Sequence, residues 1–394
     1  MRDAPDFATL TPADDGLFGL VAADLPVERL RFAGDPSALA GSAFIACVPA
    51  CNEEDWIERC IAALDADLAD GDSILLLANG CTDATIAKAA AVMAQLRRPS
   101  LLVECRWQAG QGSAPRARRL VLDLATSLAP QAILLSIDGD TIVLPGLRAA
   151  YESEFGHGYD LVCGRIGFIP KEAAWLPPAD PESEAIIREY REASREIAAL
   201  IQPDADNPWP HHGNIGGANF AMTGAAYRQI GGLPMPPSGE DRALRRRFEA
   251  CGLRIRYANG PRVETSCRLI GRAIGGLSDE LNRNRTEPNP IVDELLEPQQ
   301  ILLERLRSRA AFHNALDPAG REAALASLAL PAARIRELAL SGGETAWQAA
   351  EDESPALARR RLRLSDLRDH LPALRQALLA TRNARCGSPA SPPG

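Results

Sequence analysis

From residue 44 onward, short and wholly apolar runs alternate with longer segments whose apolar positions recur every three or four residues. The runs predict strands near 44–49, 73–78, 101–106, 132–138 and 160–166, and the longer segments predict helices near 53–68, 82–96, 112–128 and 145–155. A strand that is apolar on both faces must be covered on both faces, as the crossover helices of a parallel sheet do. The pattern therefore predicts an α/β class fold with a mostly parallel central sheet. Ligands in such sheets dock at the carboxyl ends of the strands, so those junctions are where chemistry is to be sought.

Past residue 170 the alternation loosens. A charged helical stretch, Glu182 to Leu200, leads into a polar loop from Pro203 to Ile215, and a loop of that length inside a domain is usually functional or mobile. The small residues Gly216-Gly217-Ala218-Asn219 precede Phe220-Ala221-Met222, followed by a helix signal near Gly224–Ile230, the segment Ser238-Gly239-Glu240-Asp241, a helix to about Ala250 and a strand at Arg254–Ala258. From Val292 to Ala384 the apolar spacing is helical, with breaks near Asp317-Pro318 and Gly342-Gly343. These shifts divide the chain into an N-terminal extension (1–40), an α/β domain (41–275), a helical C-terminal region (276–385) and a disordered tail (386–394).

Composition narrows the class. With 394 residues, 46% of them hydrophobic, the chain can bury a large core, and a net charge of −9 argues against a general nucleic-acid binder. Nine scattered cysteines without a C-x-x-C pair, together with a start that lacks the apolar core of a signal peptide, predict a cytoplasmic protein. No apolar stretch is long enough to span a bilayer, so any membrane contact is expected to be peripheral, at the inner face.

The run Ala132–Ile137 ends in Asp138-Gly139-Asp140, two carboxylates where a buried strand emerges. Such a pair repels itself unless a cation or strong donors compensate, and Gly139 lets the backbone turn so that both can face one ion. Mg²⁺ or Mn²⁺, which prefer oxygen ligands and share positions with phosphate oxygens, suit the pair; a plain Asp-Gly turn is the alternative. The first strand ends Pro49-Ala50-Cys51-Asn52-Glu53, where Asn52 reads as a helix N-cap, and the second ends Asn79-Gly80-Cys81-Thr82-Asp83. Gly110-Gln111-Gly112 opens a helix carrying Arg116, Arg118 and Arg119, which face either a diphosphate or solvent.

In their order these segments resemble the family-2 glycosyltransferases with a Rossmann-like GT-A fold. The Pro-x-x-Asn-Glu opening of that family is matched at Pro49–Glu53, its strand-end pattern at Asn79–Asp83, its Gly-rich loop at Gly110–Gly112, and its Asp-x-Asp signature at Asp138–Asp140. Gly217-Ala218-Asn219 and Glu240-Asp241 are similar to its later segments. The resemblance covers about residues 43 to 270. It implies that Pro49, Ala50, Glu53, Asn79 and Asp138 line a nucleoside pocket, that Asp140 with Asp138 holds Mn²⁺ or Mg²⁺, that Gly217, Ala218, Asn219 and Glu240 belong to an acceptor-side loop region, and that Asp241 is the general base. The donor it implies is a nucleotide-diphosphate sugar, the reaction an inverting transfer, and the acceptor a hydroxyl on a glycan, lipid or small molecule. A non-catalytic nucleotide-sugar binding protein and a sugar nucleotidyltransferase are the alternatives.

Three positions depart from the family pattern. Ala78-Asn79 stands where many members have an acid that reads the base, Gln111 where a basic residue is common, and Glu264-Thr265-Ser266 where some relatives supply a metal-binding histidine, so that Glu264 is a substitute candidate. His211 and His212 read as surface or acceptor contacts, Arg245 and Arg246 as partners of nearby acids. Trp175 and Trp209 read either as sugar-stacking faces or as anchors of the loop. The segment Arg262–Gly276, with Arg268 and Arg272, reads as a cover over the donor phosphates or an ordinary basic loop. The C-terminal helices are open to three roles: covering the acceptor, forming a homodimer, or resting on a membrane.

Overall fold

A computed structural model describes residues 11–386 apart from 13, 14, 177, 179, 237, 238, 270–276 and 294. Arg272, Ser238, the first ten residues and the last eight of the predicted tail lie outside the described residues. By contacts the chain falls into two units, residues 1–176 with 212–276, and residues 177–211 with 277–394.

In the first unit ten strands are described: β1 (Thr11–Pro12), β2 (Val27–Gly34), β3 (Phe44–Ala50), β4 (Ser73–Asn79), β5 (Ser100–Trp107), β6 (Ile133–Ser136), β7 (Thr141–Val143), β8 (Leu161–Phe168), β9 (Phe220–Thr223) and β10 (Ile255–Thr265). They form one sheet in the order β1-β2-β5-β4-β3-β6-β9-β8-β10-β7. The run β5-β4-β3-β6 is parallel, as its doubly apolar strands require. Along β3, Ile45 and Cys47 enter one core with Leu120, Val121 and Leu124 of helix Ala114–Leu128, whereas Ala46 and Val48 enter the other with Ile57, Ile61 and Leu64 of helix Ile57–Asp67. Period-two alternation thus feeds two cores, and each fully buried Leu or Ile contributes about 1.5–3 kcal/mol. Cys47, Cys60, Cys105 and Cys163 pack in these cores as apolar groups, burial pushing their thiols up.

Two local features differ from the residue pattern. β2 lies within the stretch read as an extension, yet it pairs antiparallel with β5, Leu30 opposite Cys105 and Phe32 opposite Val103. Its charged outward residues and a register shift after Val27 hide the alternation. The helix expected near 53–68 starts at Ile57 rather than 53, because Asn52 adopts a left-handed φ of 55° and Glu53 stays in the loop. Asn52 is accordingly not a helix cap: its Oδ1 accepts from Thr82 N at 2.7 Å and ties the ends of β3 and β4 together.

The second unit is helical: Pro181–Ile201, Leu277–Thr286, Gln299–Asn314, Pro318–Leu325, Ala332–Ser341, Gly343–Glu353 and Leu364–Cys386. Tyr190, Ile197, Leu367 and Leu374 centre one core, and Phe312, Leu325 and Trp347 a second. Buried Arg305 donates to both carboxylate oxygens of Glu297 (3.0 and 2.8 Å) and to Glu351 (2.6 Å), so these buried charges are paired. Among the described residues no helix is long and apolar enough to cross a membrane.

Candidate active site

At the carboxyl end of β6 the chain turns through Asp138-Gly139-Asp140 into β7, and Thr141 N donates to Asp138 O at 3.0 Å. Gly139 is needed for space rather than for an unusual φ. A Cβ there would stand 2.9 Å from Ala50 Cβ and 3.1 Å from Glu53 Cγ, so only glycine lets the turn pack against the end of β3. The two aspartates have different surroundings. Asp138 is 34% exposed and its Oδ1 accepts from Arg118 Nη2 at 2.7 Å. Asp140 is buried, and its Oδ2 accepts from Arg268 Nη2 at 2.7 Å. The antiparallel register sets Thr265 of β10 opposite Thr141, which brings Thr265 Oγ1 within 3.3 Å of Asp140 Oδ1. Burial pushes the Asp140 carboxyl up to about 7; Arg268 pulls it down, while Asp138 and Glu53 add to the rise.

Arg118 joins this turn to a second acidic pair. Its guanidinium is buried in the helix Ala114–Leu128, where Nη1 donates to Ser136 Oγ and Gly217 O, both at 2.7 Å, and Nε lies 3.6 Å from Glu240. Glu240 and Asp241 form the first turn of helix Glu240–Ala250, which is entered through left-handed Gly239. Asp241 Oδ1 accepts from Arg242 N at 2.7 Å. Burial raises both carboxyls, with Arg118 opposing the rise in each.

The end of β3 supplies Pro49, Ala50 and Glu53 beside the aspartate turn. Glu53 is buried; its amide donates to Thr85 Oγ1 at 2.6 Å and its carboxylate receives Arg268 through both oxygens. On β4, Asn79 Oδ1 accepts from Trp107 Nε1 at 2.5 Å, which fixes the orientation of its carboxamide. The three arginines of the Gly-rich entry separate in role. Arg118 turns inward, Arg116 donates to Gln111 Oε1 at 2.8 Å, and Arg119 pairs with Asp24 at 2.8 Å.

Gly217, Ala218 and Asn219 spend their polar groups within the scaffold. A Cβ on Gly217 would collide with the Arg118 guanidinium, and its carbonyl accepts from Arg118 and Ser136. Asn219 is fully buried, accepting from Tyr151 Oη at 2.7 Å and donating to Arg165 O and Pro261 O. His212 Nε2 lies 3.2 Å from both Cys163 O and Ala258 O; carbonyls only accept, so the ring donates and pins its loop to β8 and β10. Trp175 is 89% exposed, so it does not anchor the loop. Glu264 pairs in register with Ile142, and Thr265, the next residue, is the one that reaches Asp140. The residue pattern did not single out Thr265; only the β7–β10 pairing brings it to the turn.

Five acids, Glu53, Asp138, Asp140, Glu240 and Asp241, thus cluster at the strand ends around two compensating arginines, Arg118 and Arg268. Mn²⁺ or Mg²⁺ fits the chemistry of this donor set, which is hard carboxylate oxygen on a single turn. Among the described residues no three His, Cys, Asp or Glu side chains form a complete cage, so ligand and water oxygens would fill the remaining positions.

Fold and site define an α/β domain with an acidic edge at the strand carboxyl ends. Residues 45–211 match the family model described as "Glycosyl transferase family 2". The match ends before Gly217 and Glu240-Asp241. Among solved structures, the chain is similar to glucosyl-3-phosphoglycerate synthase from Mycobacterium tuberculosis in complex with phosphoglyceric acid (21% identity, 64% of this chain and 81% of that one, TM-score 0.39). The same enzyme with Mn²⁺, uridine diphosphate and glucosyl-3-phosphoglycerate gives 21%, 64%, 78% and 0.37. S. aureus TarS 1–349 gives 12% identity over 78% of this chain and 90% of that one, with a TM-score of 0.40. No curated protein matches the sequence.

Proposed function

We propose that this protein transfers a sugar from a nucleotide-diphosphate donor to an acceptor hydroxyl with inversion at the anomeric carbon. The observation that carries the reading is Arg118: one buried guanidinium binds Asp138 at 2.7 Å and faces Glu240 at 3.6 Å, drawing the Asp-Gly-Asp turn and the Glu-Asp helix start into one cleft. In this reading Pro49, Ala50 and Asn79 border the nucleoside, and Asp138 and Asp140 hold Mn²⁺ or Mg²⁺. When bound, that ion supplies Lewis-acid stabilisation of the departing diphosphate. Asp241 accepts the proton of the acceptor hydroxyl, whose oxygen attacks the anomeric carbon as the bond to the diphosphate breaks. A carboxylate raised by burial is a stronger base than one in water, which suits Asp241 to this task.

Thermal unfolding with a panel of nucleotide sugars, each with and without Mn²⁺, tests donor binding, since a ligand of the native state raises its stability by mass action. Donor turnover in the wild type and in Asp241→Asn then tests catalysis. The reading requires a donor that stabilises the wild type in the presence of cation and is consumed by it. Stabilisation without turnover in either protein would mark a binding module, and transfer undiminished in Asp241→Asn would remove Asp241 from the role of base.

A further inference from the structure

The transfer outlined above leaves Arg268 without a task. Its guanidinium follows β10 and grips Glu53 as a fork, Nη1 to Oε2 at 2.8 Å and Nη2 to Oε1 at 2.6 Å, while Nη2 also donates to Asp140 Oδ2 at 2.7 Å. Glu53 and Asp140 are both buried, and they belong to segments that only the sheet brings together, the end of β3 and the turn after β6. A guanidinium is permanently charged and planar, and its fork geometry matches a carboxylate, so a single side chain neutralises two acids that would otherwise repel. Asp140 is also fixed from behind, since Ser266 N donates to its carbonyl at 3.2 Å and Thr265 Oγ1 lies 3.3 Å from Oδ1. Arg268 therefore claims the lone pairs of the one Asp140 oxygen that Thr265 leaves unused.

A divalent ion at Asp140 needs those lone pairs, and two cations on one carboxylate repel. The geometry points to Arg268 as a built-in counter-cation that occupies the Glu53–Asp140 carboxylate pair and competes with a divalent cation for it. The inference rests on Asp140 being a cation ligand. Its consequence is that the chain alone binds a divalent ion weakly, with its acids held in place by the arginine. Release of Arg268 from Asp140 accompanies loading of the site.

Titration of the full chain with Mn²⁺ alone, with bound ion read by electron paramagnetic resonance, needs neither donor nor turnover. Arg268→Gln is expected to bind Mn²⁺ at least about tenfold more tightly than the wild type, because a charge-assisted fork competing for the site is gone. The gain should vanish in Arg268→Gln combined with Asp140→Asn. Arg268→Lys, a point charge that cannot fork two carboxylates, should fall between, and it carries the test if the glutamine variant does not fold. Mn²⁺ affinity equal to or below wild type in these single variants, with Asp140→Asn alone weakening binding, overturns the competition and leaves the cation site standing. Binding indifferent to Asp140→Asn in every background overturns the cation site and the competition with it.

Discussion

Replacing Arg118 with methionine keeps the length of a buried side chain and removes its charge, which isolates what the guanidinium does. Four partners lose it: Ser136 Oγ, Gly217 O, Asp138 and Glu240. The neutral losses are small, because Ser136 Oγ still donates to Gly217 O at 2.8 Å. The charged losses differ. Asp138 is 34% exposed and can turn to water, whereas Glu240, 17% exposed, is left as a desolvated carboxylate. Breaking a buried ion pair from one side costs about 3–5 kcal/mol, and the solvent access of Asp138 puts this case near the lower figure, about 3 kcal/mol. For a unit of this size that lowers Tm by about 6–12 °C. The sign of the pH dependence follows from Glu240. Burial already raises its carboxyl and Arg118 opposes the rise, so loss of Arg118 raises it further. A group that binds its proton more tightly when folded costs stability as pH climbs through the window between its unfolded and folded values. The deficit of Arg118→Met should therefore be larger at about pH 8 than at about pH 5, measured by thermal unfolding at both. An equal deficit at the two pH values would refute the account based on charge.

Three further outcomes follow from the same geometry. The Asp140 carboxyl sits at about 7 and must lose its proton to hold a cation, so Mn²⁺-dependent donor binding should strengthen from about pH 6 to about pH 8 and disappear in Asp140→Ala. Donor-induced thermal shifts measure this, and a flat wild-type profile would contradict it. Asp241→Asn should keep donor binding and lose transfer by about 10²–10⁴-fold, read by product formation beside donor titration. Gly139→Ala forces a Cβ to 2.9 Å from Ala50 Cβ and 3.1 Å from Glu53 Cγ, and should cost about 1–3 kcal/mol in denaturant unfolding; an unchanged midpoint would mean that the ends of β3 and β6 are not tightly packed.

The parallel heart of the sheet was legible because β3, β4, β5 and β6 are apolar on both faces, a pattern that has one common structural solution. β2 was not, because its charged exposed positions, Glu28 and Arg29, and a register shift after Val27 break its period. In the cleft, the acids announced themselves by position at strand ends, but their partners did not. Arg118 is one of three arginines within four residues, and the distinguishing sign was faint: it lies four positions before buried Leu122 inside a wide apolar arc. Arg268 stood out only as part of a basic segment, and nothing local tied it to Asp140. Its role depends on β10 pairing with β7 in the register that sets Thr265 opposite Thr141, a contact between segments more than a hundred residues apart.

Those two arginines also distinguish the aspartates of the turn more sharply than spacing could. The arginine on Asp138 comes from the interior of helix Ala114–Leu128, where it is 7% exposed and tied to Ser136 and Gly217 as well, so it cannot leave without opening the core. The one on Asp140 comes from the segment after β10, is 26% exposed, and also pairs with Glu53. Compensation at Asp138 is therefore built into the core, and compensation at Asp140 comes from a more exposed side chain. In the proposed reading, a cation that arrives with a diphosphate would displace the second arginine more readily than the first, so Asp140 would bind the ion more directly than Asp138, whose partner is the buried arginine.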